Sequence, residues 1–100
     1  MVYYNHEEAI LRSTYDSNKK LSDFWKVTAE TVSPFNERFI AVWEARKYPF
    51  YSIQFHPEKS VFEWKVFSDK SYDSVKVSQL LSLKFIEKAR ESAHQFANDL

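Results

Sequence analysis

His56 and Glu58 are the residues of this sequence whose chemical types and spacing best suit acid–base catalysis. Histidine is the side chain best suited to act as a general base near neutral pH. A carboxylate bonded to one ring nitrogen fixes the tautomer and leaves the other nitrogen to activate a nucleophile. Pro57 stiffens the turn between them, so that Glu58 can fold back beside His56. The triplet alone is a weak pattern, which by itself favours a structural or exposed histidine.

The segment before His56 is expected to be a buried strand, Phe50–Phe55, with apolar residues on both faces. Pro57 ends this strand, because proline cannot donate to a β-ladder. Open α/β sheets place their active sites at the carboxyl ends of strands, where this histidine would lie. Upstream, a helix is predicted to start near Asn18, with Asp16 or Ser17 as its cap and with Leu21, Phe24 and Trp25 as its buried stripe. A strand Lys26–Ser33 and a turn Ser33–Asn36 should follow. A second strand, Arg38–Ala45, is expected to pair with the third strand as a hairpin.

The residues after the histidine are predicted to form a loop and then a long helix. Ser60–Tyr72 reads as an irregular loop that contains Phe62 and Trp64. A helix is expected from Asp73 to about Asn98, with Asp73 or Ser74 as its cap. Its apolar face would be Leu81, Phe85, Ala89, Ala93 and Phe96.

Composition excludes several classes of protein. The 100 residues carry 14 basic and 14 acidic side chains and show no basic stripe, so nucleic acids and anionic membranes are not expected partners. The apolar runs are too short for a membrane span, and Met1–Leu11 does not read as a signal peptide. With no cysteine there are no disulfides or cysteine-based metal sites, and with no glycine there is no phosphate-binding loop. No metal ion and no cofactor is expected.

Other polar and aromatic side chains have ordinary structural interpretations beside functional ones. His6 alone would be a solvated loop residue, and His94 a surface residue near a helix end. Lys59 could attract carboxylates of an acidic substrate, although a plain surface lysine is favoured. Phe62 and Trp64 could flank a pocket or could pack within their loop, whereas Trp25 and Trp43 are expected in the core.

The segment around the histidine resembles a motif of γ-glutamyl hydrolases. Residues 48–59 read Tyr-Pro-Phe-Tyr-Ser-Ile-Gln-Phe-His-Pro-Glu-Lys, similar to the family's Tyr-Pro-x-Tyr-Gly-x-Gln-Trp/Phe-His-Pro-Glu-Lys. The family's aromatic continuation also has a counterpart, Phe62-Glu63-Trp64. Glutamine amidotransferases share His-x-Glu but usually lack that continuation. Further similarities extend over essentially the whole chain and lie at Tyr4-Asn5-His6, Leu21–Trp25, Phe39-Ile40-Ala41 and Phe85–Arg90.

The resemblance implies a fold and a set of roles. The fold would be α/β, with residues 1–100 as the C-terminal portion of a single flavodoxin-like, class I glutamine amidotransferase-like three-layer domain. His56 would be the general base, Glu58 would orient it, and His6 would lie near the γ-glutamyl substrate. The family's nucleophile is a cysteine on a Gly-x-Cys-x-Gly elbow, which lies upstream of everything present here. Ser52, where the family usually has glycine, departs from the pattern.

The implied activity is hydrolysis of the γ-glutamyl bonds of folate polyglutamates by a Cys-His-Glu mechanism. Because the sequence has no cysteine, we expect this chain alone to be inactive and to represent the His-Glu half of an enzyme. The alternatives are a non-catalytic remnant or interaction protein that keeps part of the fold, and a glutamine amidotransferase fragment, against which Phe62-Glu63-Trp64 argues. The resemblance also implies a lysosomal, vacuolar or secreted location, and it leaves a homodimer open.

Overall fold

A computed structural model of the chain describes residues 8–64, 69–95 and 97. The chain divides into two compact units, with the boundary between His56 and Pro57. We call the described residues 8–56 the sheet unit, and the described residues from Pro57 onward the helical unit. The elements are α1 (Arg12–Ser17), α2 (Lys19–Phe24), β1 (Trp25–Val32), β2 (Arg38–Ala45), β3 (Tyr51–Ile53), α3 (Lys59–Phe62) and α4 (Tyr72–Arg90). This mixture of helices with a small antiparallel sheet fits the predicted α/β class.

The three strands of the sheet unit form an antiparallel sheet in the order β1-β2-β3. The bounds of β2 agree with the predicted strand, and β1 begins and ends one residue before the predicted one. The predicted hairpin of β2 with β3 is confirmed by the pairing of Val42 with Ile53 and of Glu44 with Tyr51. Pairing of β1 with β2 is irregular around Ala29, where the register shifts on both sides. The central strand is therefore regular where it meets β3 and interrupted where it meets β1.

The turn between β1 and β2 uses an asparagine where many proteins use glycine. Asn36 has a positive φ of 64°, and its backbone N–H donates to the Ser33 carbonyl at 2.9 Å. The Ser33 hydroxyl accepts hydrogen bonds from the backbone N–H groups of Phe35 and Glu37. Asparagine tolerates the left-handed region better than other non-glycine residues. Because the sequence contains no glycine, Asn36 is the residue that permits the tight turn between β1 and β2.

The third strand is shorter and more exposed than the sequence predicts. It covers only Tyr51–Ile53, and Tyr51 and Ile53 are 56% and 39% exposed, so the expected buried strand Phe50–Phe55 is wrong. The chain bends at Gln54, whose backbone N–H still donates to the Ala41 carbonyl while its side chain donates to the Glu8 carbonyl.

The core of the sheet unit lies on β2. Phe39, Ile40 and Ala41 are buried there, and Phe55 and Tyr15 are buried with them in the same unit. The Tyr15 hydroxyl donates to the Trp25 carbonyl at 2.9 Å, which satisfies its polar atom. The two adjacent short helices share Asn18, whose side chain accepts from the Leu21 N–H at the start of α2.

The helix prediction for this part of the chain needs two corrections. The cap is Asn18 rather than Asp16 or Ser17, because the asparagine oxygen is the atom that reaches the first turn. Trp25 begins β1 instead of completing a helical stripe, while Leu21 is half-buried and Phe24 is 36% exposed.

The helical unit departs further from the sequence prediction. The expected loop contains one turn of helix, α3. The long helix α4 begins at Tyr72 with Ser71 as its cap and ends at Arg90, not at Asn98. Its buried residues are Ser74 and Ser78, whereas Phe85 of the predicted buried face is 75% exposed. The other expected residue Phe96 lies outside the described residues.

Candidate active-site segment

His56 is the last residue of the sheet unit and lies three positions after β3. Its side chain is half-buried. The strand that precedes it is held by β2 through the Gln54 N–H, which donates to the Ala41 carbonyl at 2.8 Å. The bend at Gln54 and Phe55 therefore delivers the histidine from the end of a hydrogen-bonded hairpin, although the strand itself is not the buried one that the sequence predicts.

Glu58 lies at the start of the helical unit, where it is the N-cap residue of α3. Its backbone is already helical, with φ −66° and ψ −29°, and its side chain is exposed. Its carbonyl accepts hydrogen bonds from the N–H groups of Val61 at 3.2 Å and Phe62 at 2.9 Å. The orientation of Glu58 is thus tied to the integrity of α3. The pairing of Glu58 with His56 stays a prediction.

The residues of α3 are fastened by polar contacts within the helical unit. The Lys59 ammonium is 3.0 Å from Glu63 Oε1, one helical turn away, and its side chain is only 12% exposed. The Ser74 hydroxyl donates to the Ser60 hydroxyl at 2.8 Å, and both serines are buried. The interpretation of Lys59 as a plain surface lysine is therefore wrong, because its ammonium is engaged by Glu63 and its stem is covered.

The aromatic continuation of the motif is exposed. Phe62 and Trp64 are 76% and 87% exposed, so neither packs into a protein core. The Lys70 ammonium lies over the Trp64 ring, 5.1 Å from its centroid. The same ammonium donates to the carbonyls of Lys59 at 3.0 Å and Ser60 at 3.3 Å, and to the carbonyl of Glu63. Sequence reasoning missed Lys70, because a lysine that binds backbone carbonyls leaves no local sequence pattern.

Residues next to Lys70 anchor it to the start of α4. The backbone N–H of Ser71 donates to Asp69 Oδ1 at 2.9 Å and lowers the pKa of the Asp69 carboxyl below its ordinary value. The Ser71 hydroxyl in turn accepts from the Ser74 N–H at 3.3 Å as the cap of α4. Lys70 therefore projects from a segment fixed at one helix and binds the end of another.

The remaining candidate residues that the structure describes lie outside this segment. His6 lies outside the described residues. His94 is exposed beyond α4, where its backbone N–H donates to the Ser92 hydroxyl. Trp25 and Trp43 stack on each other in the sheet unit with centroids 4.7 Å apart, and both are half-buried. Their contact agrees with a packing role.

The described ranges contain neither a cluster of metal-binding side chains nor a helix suited to a membrane. Among residues 8–64, 69–95 and 97, no group of three or more His, Cys, Asp or Glu side chains could hold a metal ion. No helix formed by these same residues has the length and apolar character needed to cross a membrane.

The sequence of this chain is similar to those of several γ-glutamyl hydrolases. No family model matches the chain. γ-Glutamyl hydrolase B of Dictyostelium discoideum is 34% identical over 97 residues, which cover 95% of this chain and 28% of that protein. γ-Glutamyl hydrolase of Rattus norvegicus is 35% identical over 97 residues, 95% of this chain and 30% of that protein. The human γ-glutamyl hydrolase is 32% identical over 96 residues, 94% of this chain and 30% of that protein.

This chain resembles γ-glutamyl hydrolases over nearly its whole length. The resemblance predicted from the motif of residues 48–64 is thereby confirmed, and the matched part is the C-terminal portion of those proteins. The chain spans about 30% of the length of the curated relatives it matches.

Proposed function

We propose that these residues supply the His-Glu half of a γ-glutamyl hydrolase active site. The observation that carries the proposal is the 34–35% identity to two γ-glutamyl hydrolases over 95% of the chain. The segment His56-Pro57-Glu58 lies within it, at the junction of the β3 hairpin and α3. The architecture would be the C-terminal part of a flavodoxin-like, three-layer α/β domain, of which these 100 residues form one portion.

The proposed chemistry needs a cysteine that these 100 residues do not contain. His56 accepts the thiol proton as the cysteine attacks the γ-glutamyl amide carbon, and then gives that proton to the leaving amine. His56 next takes a proton from water, which attacks the thioester carbon; the carbon–sulfur bond breaks, the glutamyl acid is released, and His56 returns the proton to the cysteine thiolate. Glu58 accepts a hydrogen bond from the other ring nitrogen, fixes the tautomer and stabilises the imidazolium.

The proposed substrate is a folate polyglutamate, a small molecule with γ-linked carboxylates. His6 would lie near its γ-glutamyl group. A lysosomal, vacuolar or secreted location would suit this substrate class by resemblance to the family. A homodimer is the oligomer we would test first.

Complementation tests the proposal. The 100-residue chain is mixed with a polypeptide that contains the remaining part of the rat enzyme, and release of glutamate from a γ-glutamyl-linked folate is followed. The split rat enzyme, with its own C-terminal portion, serves as positive control. We expect no turnover by the chain alone and measurable turnover by the mixture.

Variants assign the roles in that assay. His56→Ala should lower turnover by about 10²–10⁴-fold, the usual contribution of a general acid–base. Glu58→Gln should lower kcat with less effect on KM, because it acts through His56. His94→Ala is the matched control, since this histidine is exposed and lies outside the motif. Turnover that survives His56→Ala would refute the proposal.

A further inference from the structure

Lys70 makes an unusual set of contacts for a lysine in a connecting segment. An ammonium group has three N–H donors and no acceptor. Here it donates to three backbone carbonyls, those of Lys59 and Ser60 within α3 and that of Glu63 directly after it. The exposed Trp64 ring covers the same ammonium at 5.1 Å from its centroid. The charge is therefore held by four groups that belong to α3 or directly follow it.

The helix that Lys70 binds could not persist by its own hydrogen bonds. α3 has four residues, Lys59–Phe62, and a single turn is unfavourable in water because nucleation costs more than one turn returns. The last carbonyls of a helix also lack intrahelical partners and carry the negative end of the helix dipole. The Lys59 carbonyl already accepts the Glu63 N–H at 3.2 Å, so the Lys70 ammonium adds a second hydrogen bond there and complements the negative end of the helix dipole. Lys70 supplies that cation from twelve residues after Glu58.

The N-cap residue of this helical turn, Glu58, carries the proposed orienting carboxylate. The Glu58 carbonyl accepts the N–H groups of Val61 and Phe62, so loss of α3 would free the Glu58 backbone. The Lys59–Glu63 ion pair and the Ser60–Ser74 hydrogen bond fasten the same turn from its sides. Lys70 is the group that closes its C-terminal end.

We propose that Lys70 is a positioning residue, which holds α3 through the carbonyls of Lys59, Ser60 and Glu63 and so fixes the backbone of Glu58, the residue proposed to orient His56. The inference rests on the proposed function, because Glu58 and His56 have their roles only there. Lys70 touches neither the substrate nor the reacting atoms in this scheme. Its effect passes through one turn of helix.

Two NMR measurements on the 100-residue chain test this assignment. The first is amide exchange of Val61 and Phe62, whose N–H groups bond the Glu58 carbonyl. The second is the ring-nitrogen chemical shifts of His56 at a pH where the imidazole is neutral, which report its tautomer. The variants are Lys70→Met, Glu58→Gln and the control Lys84→Met, whose ammonium lies 3.8 Å from Glu87 at an exposed site on α4.

We expect Lys70→Met to speed exchange of both amides by about tenfold, as local opening becomes easier when a charge-assisted helix-end contact is lost. The His56 tautomer ratio should change in Lys70→Met and in Glu58→Gln. Lys84→Met should change neither exchange nor tautomer. A melting curve for each variant ensures that the comparison is made on folded chains.

Three distinguishable outcomes would overturn either the positioning role of Lys70 or the proposed role of Glu58. Unchanged exchange in Lys70→Met means that the carbonyl contacts do not hold α3, and the inference fails. Faster exchange with an unchanged tautomer, while Glu58→Gln does change it, reduces Lys70 to a structural support and also overturns positioning. If Glu58→Gln leaves the tautomer unchanged, the proposed role of Glu58 fails, and the exchange measurement still decides whether Lys70 fixes the Glu58 backbone.

Discussion

The buried hydroxyl pair that joins α3 to α4 makes a quantitative prediction about stability. Ser60 and Ser74 are 2% and 1% exposed, and the Ser74 hydroxyl donates to the Ser60 hydroxyl at 2.8 Å. Ser74→Ala removes the donor and leaves the Ser60 hydroxyl in a site with little access to water. A net hydrogen bond contributes about 1 kcal/mol, and a buried polar group that loses its partner costs about 1–3 kcal/mol.

From these values we expect Ser74→Ala to lower the free energy of unfolding by about 1–2 kcal/mol. Ser60→Ala should cost a similar amount. The double variant should cost less than the sum of the two by about 1 kcal/mol, because the second substitution removes a hydroxyl that has already lost this bond. For a chain of this size, each kcal/mol corresponds to about 4–8 °C in Tm.

Thermal unfolding followed by helical circular dichroism at several denaturant concentrations measures all three variants. Ser82→Ala is the matched control, because its hydroxyl donates only along its own helix to the Ser78 carbonyl at 3.0 Å, among the contacts described. That control should stay within about 0.5 kcal/mol of the wild type. Strict additivity of the two single costs, or single costs no larger than that of Ser82→Ala, would refute this reasoning.

Two further predictions concern the turn and the charge before α4. Asn36→Val should cost about 1–3 kcal/mol because a β-branched residue resists the positive φ, whereas Asn36→Gly should be nearly neutral; equal losses in urea unfolding would contradict this. The pKa of the Asp69 carboxyl is lower in the folded chain than in the unfolded chain, so the ionised carboxylate stabilises the fold. This contribution is fully present above the unfolded-state pKa and is lost as the pH falls through the lower folded-state pKa. The stability difference between wild type and Asp69→Ala should therefore shrink on acidification, and a constant difference would exclude it.

The parts of the fold that the sequence predicts correctly are those where local pattern and burial agree. In β2, Phe39 and Ala41 alternate with Ile40, all three are buried, and the strand has its predicted bounds. β3 has an equally apolar sequence, yet Tyr51 and Ile53 are exposed, and among the described strands β3 lies at the margin of the sheet. Hydrophobicity alone does not distinguish a central position from a marginal one.

In the candidate site, too, the sequence predicts some features and not others. The segment from His56 to Trp64 could be recognised by its residues, and comparison with known hydrolases confirms the resemblance. The support for that segment could not be recognised, because Lys70 binds backbone carbonyls and Ser74 binds a serine fourteen positions away. Such contacts depend on how α3 meets α4, which no spacing rule encodes.

The irregular ladder along β1 has a consequence for how copies of this sheet could polymerise. A register shift on each side of Ala29 breaks the even row of N–H and C=O groups that an incoming strand needs. Two charged side chains of β1 reinforce this: Lys26 pairs with Glu44 of β2, and Glu30 pairs with Arg12 of α1. Among the described strands, β3 forms the other margin of the sheet, and its exposed Tyr51 and Ile53 mark where a solubilising charge would be best placed.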